Sequence, residues 1–296
     1  MTKYTIGLDL GGTRIKAVAI NSEGTILHQS YQPTEDGNDQ VWKKSIATSV
    51  ENVINALGGD PIVGISAPGL PDAANHSIAF MPGRLEGLEN FNWSNHIGRT
   101  AFVLNDGVAA LMAEAKFGAC KNAYHAVLLT LGTGVGGAIL IDGKAYQGAF
   151  NKAGHIGHMV IDDKGDADVT GMPGSLEECI GNCTIEKRSG GRFTSTHALL
   201  EAYRNEDSFA AEVWLKSIRQ LALGIASISN ILSPQFIILG GGITEAGDDL
   251  FIPLEKFLAL YEWRPGGARS IIKKAEFGDL AGAIGAACFA IEKNKS

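Results

Sequence analysis

Residues 4–27 read YTIGLDLGGTRIKAVAINSEGTIL, and residues 126–148 read AVLLTLGTGVGGAILIDGKAYQG. Each run is an apolar segment, a Gly/Thr-rich turn, a second apolar segment, a polar turn with glycine, and a third segment. Apolar alternation bounded by turn residues predicts strand, turn, strand, strand. Its recurrence predicts an internal duplication, with each half offering one glycine hairpin to a cleft.

The stretches around these hairpins complete an alternating α/β pattern. Trp42 to Leu57 has helical periodicity and stops at Gly58 and Gly59, which are helix-ending residues. PIVGISAPG is a short buried strand running into a Pro-Gly loop. AFVLND is another, and the alanine-rich GVAALMAEAKFGA after it favours a helix. Glu178 to Leu200 and Phe209 to Leu232 read as mostly helical, and Ser189 to Phe193 as a turn. FIILGGGITEAG is a strand opening into a triple-glycine loop, and GDLAGAIGAACFAIEKNKS is a closing helix. Strands alternating with helices imply an α/β protein. No low-complexity linker divides the chain, so the boundary is expected at a hinge. The expected smaller domain is 1–118 plus 281–296, and the larger one is 119–280.

Composition excludes several function classes. The 296 residues are 45% hydrophobic and 19% charged, as in ordinary globular proteins. A net charge of −7 argues against nucleic acid as a partner, because neutralising phosphates needs a basic face. Ala126 to Ile141 is the longest uncharged apolar run, but its 16 residues are rich in glycine. A membrane helix wants about 20 apolar residues, so a hairpin is expected here and no membrane role. The start, MTKYTIGLDL, has no basic-then-apolar leader. Cys120, Cys179, Cys183 and Cys288 form no CxxC pair. A reducing cytoplasm is the expected home.

The 38 glycines cluster in loops, which points to close backbone approach to a ligand. In Asp9-Leu-Gly-Gly-Thr13, Gly11 and Gly12 let backbone N–H groups approach phosphate oxygens, and Thr13 adds a hydroxyl. Asp9 at the strand end is placed to hold Mg²⁺ through water. A tight hairpin with both glycines at positive φ explains the same residues without a ligand. Gly132, Thr133 and Gly134 repeat the geometry, and Gly240, Gly241 and Gly242 supply a third glycine loop. Two phosphate clamps and a flat surface for a nucleobase fit the three together. Neither GxGxxG nor GxxxxGK[ST] occurs in the context those motifs need.

In order along the chain, DLGGT, SAPG, LNDGVAALMAE, LGTGVGGAIL, AGHIGHM and GGGITEAG resemble the ROK family of bacterial sugar kinases and related repressors. The resemblance runs over nearly the whole chain. It implies the two-domain actin-like ATPase fold, of the hexokinase and ribonuclease H-like type, with an interdomain cleft. It implies ATP and Mg²⁺ as cofactors, a hexose-like sugar as glucokinase-like acceptor, and Asp106 as catalytic base. The chemistry agrees, since a sugar hydroxyl is a poor nucleophile until a carboxylate takes its proton. A helix N-cap is the structural alternative for Asp106. Asn105, Gly69, His158 and Glu177 match the family's sugar contacts. A homo-oligomer, a dimer in the first instance, is a further expectation from the resemblance.

Two departures stand out. His155 occupies the place of a family glutamate, and an imidazole offers one donor and one acceptor where a carboxylate accepts twice. The sugar code therefore differs. Asp168, Thr170 and Ser175 stand where the family carries three zinc-binding cysteines beside the histidine. One His with Asp, Thr and Ser is a poor tetrahedral set, so no structural zinc is expected. Arg14 and Lys16 follow the first hairpin on one strand face, directed either to phosphates or to solvent. Two other readings compete with the ATP-dependent kinase. A non-catalytic sugar sensor is one, although Asp9 lies too near the start for a preceding helix-turn-helix. A polyphosphate-dependent glucokinase is the other, which would prefer a basic groove.

Overall fold

A computed structural model describes residues 4–36, 40–83 and 85–295. The chain opens with β1 (Thr5–Leu10), β2 (Arg14–Ile20) and β3 (Ile26–Pro33), then α1 (Val41–Leu57) and β4 (Val63–Ala67). A small ribbon follows, β5 (Leu70–Pro71) with β6 (Ile78–Phe80). Then come α2 (Trp93–Ile97), β7 (Ala101–Asn105) and α3 (Asp106–Lys116). The second hairpin is β8 (Ala126–Leu131) and β9 (Val135–Ile141), followed by β10 (Lys144–Tyr146). Short helices α4 (Leu176–Ile180) and α5 (Ile185–Arg188) lead to α6 (Thr196–Arg204) and the long α7 (Ser208–Leu232). After them come β11 (Phe236–Gly240), α8 (Asp248–Tyr261), β12 (Ile271–Lys274) and α9 (Ala281–Lys293).

Two compact units result. The first holds residues 1–122, 147–152 and 276–296, and the second holds 123–146 and 153–275. The first unit's sheet has the order β3-β2-β1-β4-β7, and the second's has the order β10-β9-β8-β11-β12. In each, three antiparallel strands continue into two parallel ones. The recurrence in the sequence is thus a recurrence of topology. The 126–141 run is a hairpin, and among the described residues no helix is long and apolar enough to cross a membrane.

Burial explains the strand sequences. β1 and β4 are buried throughout, as inner strands covered on both faces must be. Ile6, Leu8, Ile65 and Val103 build the first core with Trp42 and Ile46 of α1. Val127, Leu129, Ile237 and Leu239 build the second with Trp214 and Leu221 of α7.

Glycines set the packing of α9. A Cβ on Gly7 of β1 would lie 1.9 Å from the Ala283 carbonyl oxygen, and one on Gly64 of β4 would lie 1.8 Å from that of Ala286. Gly285 faces the Ala109 carbonyl of α3 in the same way, at 1.7 Å. Helix and sheet backbones touch, which no larger residue permits. α9 therefore lies directly under the end of β1, where Asp9 sits.

One helical expectation needs correction. The stretch 178–200 is broken into α4, a 3-10 turn at Asn182–Thr184, α5, a loop and then α6. Gly190 and Gly191 take φ of 59° and 84°, and Ser195 caps α6 by accepting from Ala198 N. The Ser189–Phe193 turn is structural. Ser189 Oγ accepts from Phe193 N at 3.0 Å, and Arg192 pairs with Asp207 and lies over the Phe209 ring.

Candidate functional site

The first unit gathers Asp9, Gly11, Gly12, Lys16, Asp106 and Asp279 around a cavity of about 210 Å³. Antiparallel register pairs Asp9 on β1 with Lys16 on β2. Lys16 Nζ donates to Asp9 Oδ2 at 3.0 Å and lies 2.9 Å from Asp279 Oδ1. Ser66 Oγ of β4 donates to Asp9 Oδ1 at 2.7 Å. Gly282 of α9 has no Cβ, and one there would lie 2.5 Å from Asp9 Oδ1. Arg14 instead stays largely exposed, 3.7 Å from Asp279 and over the Tyr31 ring.

The first hairpin turn does not use left-handed glycines, since neither Gly11 nor Gly12 has positive φ. The turn closes through Gly11 N donating to Arg14 O at 3.2 Å, and it is braced by Thr34 Oγ1 donating to Gly11 O at 2.7 Å. Gly12 and Thr13 are exposed.

Asp106 heads α3, but the cap is its neighbour. Asn105 Oδ1 accepts from Gly107 N at 2.9 Å and Val108 N at 3.4 Å, while its Nδ2 donates to Gly69 O at 3.1 Å. Both ends of the buried Asn105 amide are therefore engaged. Gly69 needs to be glycine, with φ 97° and a Cβ position only 2.6 Å from Phe80 O. Asp106 itself is left open to solvent within its recess, with Oδ1 accepting from Gly107 N at 2.8 Å. Desolvation by the surrounding protein, then the negative charge of Asp9, raise its pKa above the ordinary carboxylate value.

The second unit presents the other hairpin. Gly132 has a φ outside the left-handed region, and a Cβ there would meet nothing within 4 Å. Neither conformation nor packing calls for glycine at that position, which leaves the backbone bare toward whatever approaches. Gly132, Thr133, Thr196, Leu200, Gly242 and Ile243 help line a cavity of about 880 Å³, within the size of small-molecule sites. Gly240 is buried at the end of β11. Gly241 takes φ 87° with its Cβ position 2.3 Å from Leu131 O, and this turns the chain out of β11 toward the cavity.

His155 precedes a 3-10 turn at Ile156–His158 and His158 ends it, with His158 N donating to His155 O at 3.2 Å. Gly157 holds that turn against the hairpin, since its Cβ position is 1.9 Å from Val135 O. Glu177 sends Oε2 to Val135 N at 2.9 Å.

The positions matching the cysteine motif form a hydrogen-bonded cluster. Asp168 Oδ2 lies 3.0 Å from His158 Nδ1, and Oδ1 accepts from Thr170 Oγ1 at 2.6 Å, Thr170 N at 2.8 Å and Met172 N at 3.1 Å. Ser175 caps α4. Burial alone would raise the Asp168 carboxyl, but the bonds from Thr170, His158 and the backbone outweigh it and hold its pKa well below the carboxylate range. Among the described residues no group of three or more His, Cys, Asp or Glu side chains could hold a metal ion. The donor set does not fit structural zinc. Bridges between Val160 and Ser175 and between Ala167 and Pro173 close the loop.

Sequence reasoning missed Asp279, Ser66 and the Val135 contact of Glu177. The Asp9–Lys16 pair was findable, because a tight turn at 11–13 places 9 opposite 16 and opposite charges favour that position.

A ROK family model matches residues 5–293. The chain is 29% identical over 287 residues to the glucokinase of Thermotoga maritima, covering 86% of this chain and 87% of that one. It is 32% identical over 253 residues to an N-acetylmannosamine kinase of Vibrio cholerae, covering 81% and 84%. Among solved structures it is similar to the ROK hexokinase of Thermus thermophilus, with TM-score 0.88, 26% identity and 99% of each chain covered. It is also similar to a ROK family glucokinase from Streptomyces griseus in complex with glucose and AMPPNP, with TM-score 0.78, 27% identity and 98% and 99% covered. The fold is the two-domain actin-like ATPase fold.

Proposed function

Because this chain belongs to the ROK family, we propose that it is an ATP-dependent sugar kinase that phosphorylates a hydroxyl of a hexose-like sugar. The observation that carries this reading is Asp106. It is relieved of capping by Asn105, raised in pKa, and shares a cavity with the first glycine turn and Asp9. A carboxylate of raised pKa is the better general base near neutral pH. It takes the proton of the attacking hydroxyl as the new sugar O–P bond forms and the bond from the γ-phosphorus to the bridging oxygen breaks, releasing ADP. Positioning and charge stabilisation supply the rest.

Phosphate-binding roles are assigned to Gly11, Gly12 and Thr13 in the first unit and, separately, to Gly132, Thr133 and Gly134 in the second. The nucleoside is assigned to the 880 Å³ cavity next to Gly242. Leu200 and Ile243 offer an apolar wall there, beside Glu201 and Arg204, and Glu245 is paired with Lys274 at 2.9 Å. The apolar wall suits a base, which a polyphosphate chain lacks. Asp9 would hold Mg²⁺ through water, and the ion would neutralise phosphate charge there.

Acceptor roles are assigned to Asp106 in the first unit, where Asn105 and Gly69 fix the backbone around it, and, separately, to His155 and His158 in the second. The named activities of similar proteins, glucokinase and N-acetylmannosamine kinase, define the acceptors to test. A coupled ADP-release assay with ATP and Mg²⁺, run against hexoses and N-acyl hexosamines, should give turnover on one sugar that Asp106→Asn abolishes. Nucleotide binding without turnover on any sugar would favour a sugar sensor instead.

A further inference from the structure

The second glycine hairpin is held at one residue from two sides. Val135, the first residue of β9, donates its N–H to Glu177 Oε2 at 2.9 Å. Its carbonyl oxygen meets Gly157, where a Cβ would lie only 1.9 Å away. Gly157 belongs to the turn that carries His155 and His158, and Glu177 belongs to the first turn of α4. The segment after α4 adds two bonds to the hairpin tip, from Asn182 N to Gly132 O at 3.0 Å and from Cys183 N to Thr133 O at 2.8 Å. Gly134 is glycine for the same reason, since a Cβ there would lie 2.1 Å from Glu177 Oε2.

Resting on the kinase reading, we propose that Glu177 is a positioning residue for the phosphoryl donor. Its carboxylate clamps the Val135 amide and so fixes the 132–135 backbone that receives the donor phosphates. The clamp pre-organises the turn. A glycine-rich turn loses more backbone freedom on ordering than any other sequence, and a flexible turn would lose it each time nucleotide bound. A charge-assisted bond from a carboxylate to a backbone N–H is among the stronger hydrogen bonds. It settles that loss during folding. Ser175 caps α4 and thereby anchors the helix that carries Glu177. The clamp is tied in turn to the loop around Asp168 by Leu176 N, which donates to Met159 O at 2.8 Å. The turn bearing the two histidines and Glu177 thus both meet the donor hairpin at Val135, beside the bonds at its tip.

The test compares Glu177→Ala, Glu177→Gln and Gly134→Ala with the parent. Binding of Mg·AMPPNP without sugar is measured by calorimetry, and amide exchange across residues 126–141 by mass spectrometry. Glu177→Ala should weaken nucleotide binding roughly tenfold or more, the size expected for one lost charge-assisted bond, and speed exchange at the hairpin. Glu177→Gln keeps a carbonyl acceptor for Val135 and should recover most of both. Gly134→Ala drives the carboxylate off Val135 and should match Glu177→Ala. Combining the two should cost little more than either, because removing Glu177 makes room for the new methyl. Nucleotide affinity and hairpin exchange within twofold of the parent in Glu177→Ala, with only the sugar KM raised, would overturn the proposal and leave Glu177 a sugar ligand. The exchange measurement stands without turnover, so failure of the kinase reading and failure of the clamp are read separately.

Discussion

Lys16 Nζ lies 3.0 Å from Asp9 Oδ2 and 2.9 Å from Asp279 Oδ1, bridging carboxylates 270 residues apart in sequence. Asp9 and Lys16 are cross-strand partners, and the Asp279 side lies just before α9. The ammonium thus joins the first hairpin to the start of that helix. Burial works against its charge, but Asp9 and Asp279 outweigh burial and raise its pKa. Lys16→Met should destabilise the protein by roughly 1–3 kcal/mol, the range for stranding a partly buried polar partner. The sign of the pH dependence follows from the raised pKa. The stabilisation is full below the unfolded lysine value of about 10.4 and fades as pH rises through the folded value. The difference in Tm between parent and variant should therefore be constant from about pH 6 to 9. A difference already shrinking in that window would contradict the pairing.

Asp106 is expected to trade stability for reactivity. Asp106→Asn should lower kcat by roughly 10²–10⁴-fold, with Mg·AMPPNP affinity retained. The folded carboxyl has a raised pKa, so its ionisation disfavours the folded state once pH exceeds the folded value. That penalty is absent below the unfolded value of about 3.9. Asp106→Asn should accordingly melt at or above the parent at pH 7, with the difference vanishing in acid. In the parent, the acid limb of kcat should lie above the ordinary aspartate range. A variant less stable at neutral pH would show that Asp106 is a structural anchor after all.

Local patterns carried much of this far. The two hairpins, their repetition and the strand-to-helix step at Asn105–Asp106 are all short-range features that periodicity and turn residues reveal. Assigning the cap needed more. Asn and Asp stand side by side, both good caps, and only the geometry shows Asn105 bonded to Gly107 and Val108. Glu177 and Val135 are 42 residues apart, and Asp279 follows Asp9 by almost the whole chain. No local signal relates such pairs. The break between 178 and 200 was legible in Gly181, Gly190 and Gly191, but apolar periodicity on either side masked it.

The Asp168 cluster should make the 159–175 loop independent of zinc. A chelator such as EDTA should leave Tm unchanged, and elemental analysis should find no stoichiometric zinc. Asp168→Ala removes the acceptor of Thr170, His158 and Met172 together and should cost about 3 kcal/mol. The depressed carboxyl pKa stabilises the fold above the unfolded value of about 3.9, and this contribution is lost as pH falls through the folded value. The Tm gap between parent and variant should be full at pH 7 and close only in strong acid. A chelator-induced drop in Tm would show that the site takes a metal despite its donors.

Glu114, near the end of α3, is wholly buried. Its Oε2 accepts from Ala119 N at 2.8 Å, and Oε1 accepts from Glu276 N at 2.8 Å and Phe277 N at 3.0 Å. Gly118 leaves room for this carboxylate, since a Cβ there would lie 2.3 Å from Oε2. The two stretches it holds lie just inside the points where the chain passes from one unit to the other, at 122–123 and at 275–276. A buried carboxylate with three backbone donors is here a staple between segments distant in sequence. Glu114→Gln keeps the shape but turns an NH₂ toward one set of N–H donors, leaving them unsatisfied at about 1–3 kcal/mol. Glu114→Ala removes the acceptor for all three and should cost more. Both variants should speed amide exchange at 119 and at 276–277 together, whereas a purely local role would raise it at 119 alone.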